Sequence, residues 1–257
     1  MKHSPLAVQA NVISALMLRD VKTRFGGKAA NYLIAVLWPL SHIMVLMMAY
    51  TFMGRPPPLG DSAALFFATG LLPVMIFQYS SRLMMQAQLV NGPLLNFPVV
   101  TFLDLVIARA LLEVITGFAV TVVLASILYG FDVDIVPRHP AEAAAALGAT
   151  LFLAVGIGVL NCVITKFVKV WMWAYILIVI IIYITSGILF VVETMPRMYR
   201  DVLVWNPAVQ LVEWFRSAYY EGYGEATLNK PYVVIVALFC LAIGLTAERL
   251  TRRVEFR

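Results

Sequence analysis

The chain has 257 residues, of which 62% are hydrophobic and only 13% are charged, and its mean hydropathy is +0.88. A soluble protein of this length could not cover so much apolar surface with polar side chains, so the composition excludes a soluble globular protein and predicts an all-α integral membrane protein. The net charge of +5 is interpreted as membrane topology and attraction to anionic lipids, and nucleic-acid binding is not expected.

Residues 1–32 precede the first apolar run and are predicted to form a cytoplasmic N-terminus. Ser4 followed by Pro5 is typical of a helix start. Apolar residues then recur at helical spacing, with Arg19 and Lys22 on the other side of the helix. These apolar residues are Val12, Ile13, Leu16, Met17 and Val21. The pattern predicts an amphipathic helix in the membrane interface, and a solvated basic segment without a specific ligand is the alternative.

Six nearly uncharged stretches have about the length that a membrane-spanning helix needs, since a bilayer core of about 30 Å requires about 20 apolar residues. They are residues 33–53, 63–82, 105–131, 143–165, 170–192 and 232–247. Five of them satisfy the requirement easily, whereas the last is marginal. The first is expected to be a retained span rather than a signal peptide. Together with their connections, the stretches predict one transmembrane domain over residues 33–257.

Lysine and arginine are distributed unevenly between the two sides of this arrangement. Twelve fall on the side that holds the N-terminus, the second and fourth loops and the tail of residues 248–257, and six fall on the opposite side. By the positive-inside rule, both termini are predicted to be cytoplasmic.

The second connection, residues 83–104, lies on the predicted cytoplasmic side. It contains Asn91-Gly92-Pro93 and Asn96-Phe97-Pro98, which are typical turn sequences. Its length and its turn residues predict a short helix, a break and a re-entry, placed where a soluble partner can grip it. An ordinary connecting loop is the alternative.

The outer loop, residues 193–231, is too apolar to stay in water. Two short helices broken at Asn206-Pro207 fit the sequence best, with Asn206 as the cap and Pro207 in the first turn of the second helix. We expect this pair to be re-entrant, because helices that dip into the outer leaflet or line a protein cavity tolerate such apolar character.

Few charges fall inside the predicted spans. Arg109 and Glu113 are four residues apart, hence on one helix face, and are predicted to form an intramembrane ion pair. A contact between Arg109 and a travelling anionic group is the alternative. The aromatic residues Tyr79, Trp173 and Tyr183 are either interface anchors or candidates for lining a sugar path.

Enzyme motifs are not found in the sequence. Gly26-Gly27-Lys28-Ala29 lacks both the preceding glycine and the hydroxyl residue of a phosphate-binding loop. The three histidines have no metal-binding spacing, and no nucleophile elbow occurs. We therefore predict no catalytic, cofactor-binding or metal site in this chain, and energy for uphill transport would have to come from elsewhere.

Several short segments share their order and spacing with a known family. They are Leu18–Gly26, Trp38-Pro39 and His42, Gly70–Pro73, Ile107–Glu113, and Leu203–Pro207 with Val212, Glu213 and Arg216. In these segments the chain resembles the membrane-spanning permease of type-2 ATP-binding-cassette (ABC) exporters, specifically the capsular-polysaccharide export permease of Gram-negative bacteria. The resemblance extends from about residue 10 to residue 250.

The resemblance implies a six-span inner-membrane subunit that forms a homodimer with two copies of a separate ATPase, which binds ATP and Mg. It implies a lipid-linked, usually acidic polysaccharide as substrate, and a periplasmic and outer-membrane export apparatus as a further partner. O-antigen or teichoic-acid-type polymers are the alternative substrates, and a small-molecule or lipid exporter of the same fold is a further alternative.

The same resemblance assigns expected roles to individual residues. The ATPase coupling helix would include Gln88, Asn91, Leu94, Asn96 and Phe97. The outer gate would include Trp205, Asn206, Pro207, Glu213, Trp214 and Arg216. The candidates for attracting the lipid or polymer head group are Arg19, Lys22, Arg24, Lys28 and Arg109.

Overall fold

The computed structural model describes residues 5–25, 29–54 and 56–255, and these residues form helices and connections without any strand. The side chains of residues 5, 24, 25, 29–32 and 252–255 are outside this description. The helices are α1 (Pro5–Phe25), α2 (Ala29–Phe52), α3 (Ala63–Met85), α4 (Ala87–Asn91), α5 (Phe102–Gly130), α6 (Pro140–Phe167), α7 (Trp171–Ile184), α8 (Arg197–Leu203), α9 (Pro207–Ser217) and α10 (Lys230–Glu255). Two short 3-10 segments are Gly92–Asn96 and Val192–Thr194. The all-α prediction is confirmed.

Five helical stretches of the described chain are long and apolar enough to cross a membrane. They are Leu33–Phe52, Ala63–Asn96, Phe102–Gly130, Pro140–Phe167 and Lys230–Thr251. The last has 22 residues, so the prediction that it is marginal was wrong. The helix gains length because the polar residues on either side of the apolar run continue it in both directions. The chain is therefore a multi-pass membrane protein.

The predicted span of residues 170–192 is helical only in its first part. Helix α7 ends at Ile184 and has 14 residues, which gives a length of about 21 Å against the roughly 30 Å of a bilayer core. The chain then turns, with Gly187 at φ 79°. Asn206 donates a hydrogen bond to the Ile182 carbonyl at 3.1 Å, and Arg216 donates to the Gly187 carbonyl at 2.8 Å. Two distant side chains therefore bind carbonyl groups on either side of the helix end.

Helix α1 is described from Pro5 onward, and Ser4, the predicted start of the helix, lies outside the described residues. Part of its apolar side packs against α5, where Leu16 contacts a cluster containing Leu105 and Ala108. Its lipid-interface placement stays a prediction, but this packing fixes α1 against the start of a membrane helix.

Helix α3 lies at the centre of the fold and is buried along most of its length. It packs against α2, α5, α6 and α9. A Cβ at Gly158 of α6 would overlap Met84 of α3, so the absence of a side chain lets these two helices approach closely. Helix α3 therefore contacts both α4, in the predicted cytoplasmic connection, and α9, one of the predicted outer helices.

Candidate functional site

A buried charge cluster lies where α1, α3, α4 and α5 meet. Arg109 of α5 contacts Asp20 of α1 at 3.0 Å with one terminal nitrogen and Glu113, one turn along α5, with the other. Each of the three residues is at most 5% exposed. The structure thus brings Arg109 and Glu113 together and adds a second carboxylate that the sequence analysis did not consider.

Two neutral side chains complete the cluster. Asn91, the last residue of α4, donates to the second oxygen of Asp20 at 2.9 Å. Ser80 of α3 donates to the second oxygen of Glu113 at 3.1 Å. All four carboxylate oxygens therefore have partners, whereas Arg109 Nε has none among the described residues. Buried charges are tolerated only when they are paired in this way.

The cluster carries one positive and two negative side chains when all three are ionised. An anionic head group approaching Arg109 would therefore meet both terminal nitrogens already bound to carboxylates. The role of Arg109 as a head-group contact stays a prediction, and it would require one of these ion pairs to open.

The sequence did contain a signal for Asp20. Asp20 lies four residues after Leu16, so the two share a helix face. An acidic residue on the apolar side of an amphipathic helix is unfavourable without a partner. The partner, Arg109, lies 89 residues further along the chain, and only the folded structure identifies it.

A cavity of about 410 Å³ adjoins the cluster. Its wall is mostly apolar and is formed by residues of α1, α2, α3 and α5, with the charged cluster on one side. The aromatic residues Trp38 and Tyr79 line it together with Pro39. Such a cavity suits an amphiphile or a group that stacks on aromatic rings. Of the three path candidates, Tyr79 is the one that lies beside the charged residues.

The other two path candidates lie elsewhere. Trp173 of α7 is 69% exposed. The Tyr183 hydroxyl lies 3.4 Å from Nε2 of His42, which joins α7 to α2. Neither residue borders the cavity described above.

Residues 87–99, which lie on the predicted cytoplasmic side and are called the cytoplasmic stretch below, comprise α4, the 3-10 segment and the turn that follows. Of the predicted coupling residues, Asn96 and Phe97 are exposed, while Gln88 and Leu94 are half-buried. Asn91 is 6% exposed and points toward Asp20, so it does not offer its side chain to a partner. The exposed apolar residues of the stretch are Leu89, Val90, Phe97 and Val99.

The basic head-group candidates near α1 are only partly described. Lys22 is exposed, and Arg19 is half-buried with one terminal nitrogen that has no hydrogen-bond partner in the described chain. The side chain of Arg24 and the whole of Lys28 lie outside the described residues. The role of these residues in attracting a head group stays a prediction.

On the predicted outer side, Arg216 of α9 is fully buried. Its guanidinium donates to the carbonyls of Gly187 at 2.8 Å and Ile188 at 2.9 Å, and it lies 3.9 Å from the centre of the Phe66 ring. Gly70 of α3 makes room for it, because a Cβ there would lie 2.6 Å from a guanidinium nitrogen. Arg216 thus ties α9 to α3 and to the turn after α7.

Glu213 lies one turn before Arg216 and is also fully buried. Neither carboxylate oxygen has a hydrogen-bond partner among the described residues. Burial raises the pKa of Glu213 to about 7. The nearby Thr227 hydroxyl lowers this pKa slightly, although the two groups do not meet hydrogen-bond geometry. Helix α9 therefore contains a buried carboxyl group whose ionised form is unfavourable.

The remaining gate candidates connect α9 to its neighbours. Asn206 accepts a hydrogen bond from the Ala208 N–H at 2.9 Å, and Pro207 is the first residue of α9. Trp214 donates to Glu142 of α6 at 2.8 Å. Trp205 is 70% exposed, and its ring contacts that of Tyr232 edge to face. The structure therefore places the candidates in helix α9 and in the break that precedes it, while their function as a gate stays a prediction.

A model of the ABC-2 type transporter family matches residues 11–220, which is most of the chain. The chain belongs to this family of membrane transport proteins.

Among its relatives is the polysialic acid transport protein KpsM of Escherichia coli, 30% identical over 97% of this chain and 96% of that protein. The capsule polysaccharide export inner-membrane protein CtrC of Neisseria meningitidis serogroup A is 28% identical over 97% and 95%. The capsule polysaccharide export inner-membrane protein BexB of Haemophilus influenzae is 25% identical over 93% and 91%.

Proposed function

We propose that this chain is the permease subunit of an ABC exporter that moves lipid-linked capsular polysaccharide from the cytoplasmic side across the inner membrane. The observation that carries the proposal is its similarity, over nearly the full length of each protein, to transport and export proteins for polysialic acid and capsule polysaccharide. The five long apolar helices support a role within the membrane.

We infer that a separate ATPase binds ATP and Mg and supplies the energy. The family membership and the missing phosphate-binding loop in the sequence support this division of labour. The cytoplasmic stretch is the proposed docking element, because its exposed apolar residues would be unfavourable in water without a partner. Phe97 is 58% exposed and lies in the turn that follows the 3-10 segment.

The proposed assembly is a homodimer with two ATPase copies, connected to a periplasmic and outer-membrane apparatus. Helix α7 and the residues that follow it, as far as residue 192, would form the one further membrane passage, so that both termini are cytoplasmic. The exposed apolar sides of α2 and α7 include Leu37, Trp38, Leu177 and Ile181, and either lipid or a second copy would cover them. In this arrangement α8 and α9 form the outer gate.

Lipid anchors would be recruited at the cytoplasmic face. The exposed Lys22 and the neighbouring basic residues of the N-terminal segment favour anionic groups at the membrane surface. In this proposal the chain carries out no bond chemistry on the substrate. Its task is to open a path through the membrane in response to the ATPase.

The experiment that tests this function removes the chain from its host and locates the surface polysaccharide. We expect lipid-linked polymer to accumulate in the cytoplasm and to disappear from the surface, and reintroduction of the chain should restore display. Recovery of the polymer identifies the substrate chemically. Normal display in the deletion strain contradicts the proposal and directs attention to small-molecule or lipid substrates.

A further inference from the structure

We propose that Asp20 and Asn91 form a joint that carries movement of the cytoplasmic stretch into the charge cluster and the adjoining cavity. The inference rests on the proposed function, because it takes the cytoplasmic stretch to be where the ATPase docks. Asp20 and Asn91 are positioning residues in this account, since neither has to touch the transported polymer.

The two oxygens of Asp20 have different partners on different elements. One accepts a hydrogen bond from Asn91 at the end of α4, at 2.9 Å, and the other contacts Arg109 of α5, at 3.0 Å. A single carboxylate on α1 therefore links Asn91, the last residue of α4, to the membrane helix α5. All three side chains are buried, so water does not compete for these contacts.

The linkage continues to the cavity. Arg109 contacts Glu113, and Glu113 accepts a hydrogen bond from Ser80 of α3 at 3.1 Å. Arg109, Glu113 and Ser80 all line the cavity, as does Asp20 itself. A continuous series of polar contacts therefore runs from α4 to two helices that form the cavity wall.

The elements joined by this series are expected to move together. Separating Asp20 from Arg109 would leave buried charges without their partners, which is strongly unfavourable. A displacement of α4 by the ATPase is transmitted more readily through such contacts than through exposed side chains, which water can rearrange. The joint is therefore a physical route by which movement of the cytoplasmic stretch could reach the membrane helices.

A second contact between α1 and α5 provides a matched control. Near the other end of α1, Gln9 donates to Asp104 of α5, also at 2.9 Å. Loss of this contact loosens α1 from α5 without touching α4. A role in packing α1 predicts similar effects from both sites, whereas the joint predicts an effect specific to Asn91.

The test measures polymer exported per ATP hydrolysed by the complete complex with its ATPase, in vesicles supplied with the host's own lipid-linked polysaccharide. We expect Asn91→Leu to lower this ratio at least tenfold while the complex still purifies with its ATPase. Gln9→Leu should keep the ratio within twofold of wild type. An unchanged ratio in Asn91→Leu, or an equal loss in Gln9→Leu, overturns the joint.

A charge swap covers the case in which Asn91→Leu does not assemble. Asn91→Asp alone places two carboxylates in contact and should lose coupling. The double variant Asp20→Asn with Asn91→Asp restores an amide-to-carboxylate hydrogen bond with the roles exchanged and restores the charge of the cluster. We expect the double variant to recover to within threefold of wild type, and equal losses in the single and double variants overturn the joint.

The two proposals fail in different ways. A wild-type complex without ATP-dependent export contradicts the proposed function itself. A wild-type complex that exports normally, with variants that show the same export per ATP, overturns only the joint.

Discussion

Glu213→Gln tests whether the outer helix α9 contains a destabilising buried carboxyl group. The substitution keeps the shape of the side chain and removes its ability to ionise. Burial raises the pKa of Glu213 from 4.5 to about 7. At about 1.36 kcal/mol per pH unit, this difference corresponds to roughly 3 kcal/mol between the ionised and protonated forms.

The sign of the pH dependence follows from proton binding. Between pH 4.5 and 7 the folded protein holds the Glu213 proton more tightly than the unfolded chain does, so folding stability falls as pH rises through this range. Above pH 7 the full penalty of about 3 kcal/mol is present, and below pH 4.5 it vanishes. Glu213→Gln should therefore have little effect at pH 4.5 and should stabilise the protein at pH 8.

The assay is the apparent melting temperature of the purified protein in detergent, measured from pH 4.5 to pH 8. A penalty of about 3 kcal/mol predicts that Glu213→Gln melts roughly 6–12 °C above wild type at pH 8. Glu225→Gln, in an exposed position of the nearby loop, is the matched control and should show no such trend. A difference between Glu213→Gln and wild type that does not change with pH refutes the reasoning.

Three further sets of substitutions test packing and the two buried arginines. Arg109→Leu should destabilise the protein by about 3–5 kcal/mol, because it leaves two carboxylates without their cation. Glu113→Gln should cost only about 1 kcal/mol. Equal melting temperatures for the two variants would argue against the cluster. Arg216→Lys should cost about 3 kcal/mol, because an ammonium group cannot reproduce the fork of hydrogen bonds to two neighbouring carbonyls, and an unchanged melting temperature would contradict this. Gly158→Ala should cost about 2 kcal/mol by forcing α6 from α3. Gly148→Ala, where a Cβ meets nothing within 4 Å, should be neutral or stabilising by up to about 1 kcal/mol, because alanine has the higher helix propensity. Equal destabilisation by the two variants would contradict the close packing.

The docking of the ATPase can be tested separately. Phe97→Asp replaces an exposed apolar side chain in the last turn of the cytoplasmic stretch with a charge. We expect the variant to insert into the membrane normally and to lose most of the ATPase on co-purification, as the surface would no longer favour an apolar contact. Full retention of the ATPase would place the docking surface elsewhere.

The sequence was sufficient to predict the all-α membrane fold, because the length of an apolar run and the thickness of a bilayer are directly comparable. It was insufficient for the end of α7. The residues from 185 to 192 are nearly as apolar as those before them, so composition alone favours a continued helix. The helix stops at Ile184, before Thr185-Ser186-Gly187, and Gly187 has a positive φ of 79°. The Gly187 carbonyl accepts a hydrogen bond from Arg216, 29 residues further along the chain, and no local pattern indicates this contact.

The charge cluster was predictable only in part. Arg109 and Glu113 lie on the same helix, so their spacing predicts a contact. Asp20 and Asn91 join the cluster from elements that are 71 residues apart in the chain, and no local pattern relates them. Asn91 was predicted to belong to the ATPase coupling helix, which stays a prediction, and the fold directs its side chain inward, toward Asp20.

The most direct test of the central claim is ATP-dependent movement of lipid-linked polysaccharide into the lumen of inverted inner-membrane vesicles. Vesicles containing both this chain and its ATPase should accumulate polymer in a protected form when ATP is supplied, and vesicles lacking either protein should not. Polymer accumulation that is the same without this chain, or that does not depend on ATP, would contradict its role as the permease of a polysaccharide exporter.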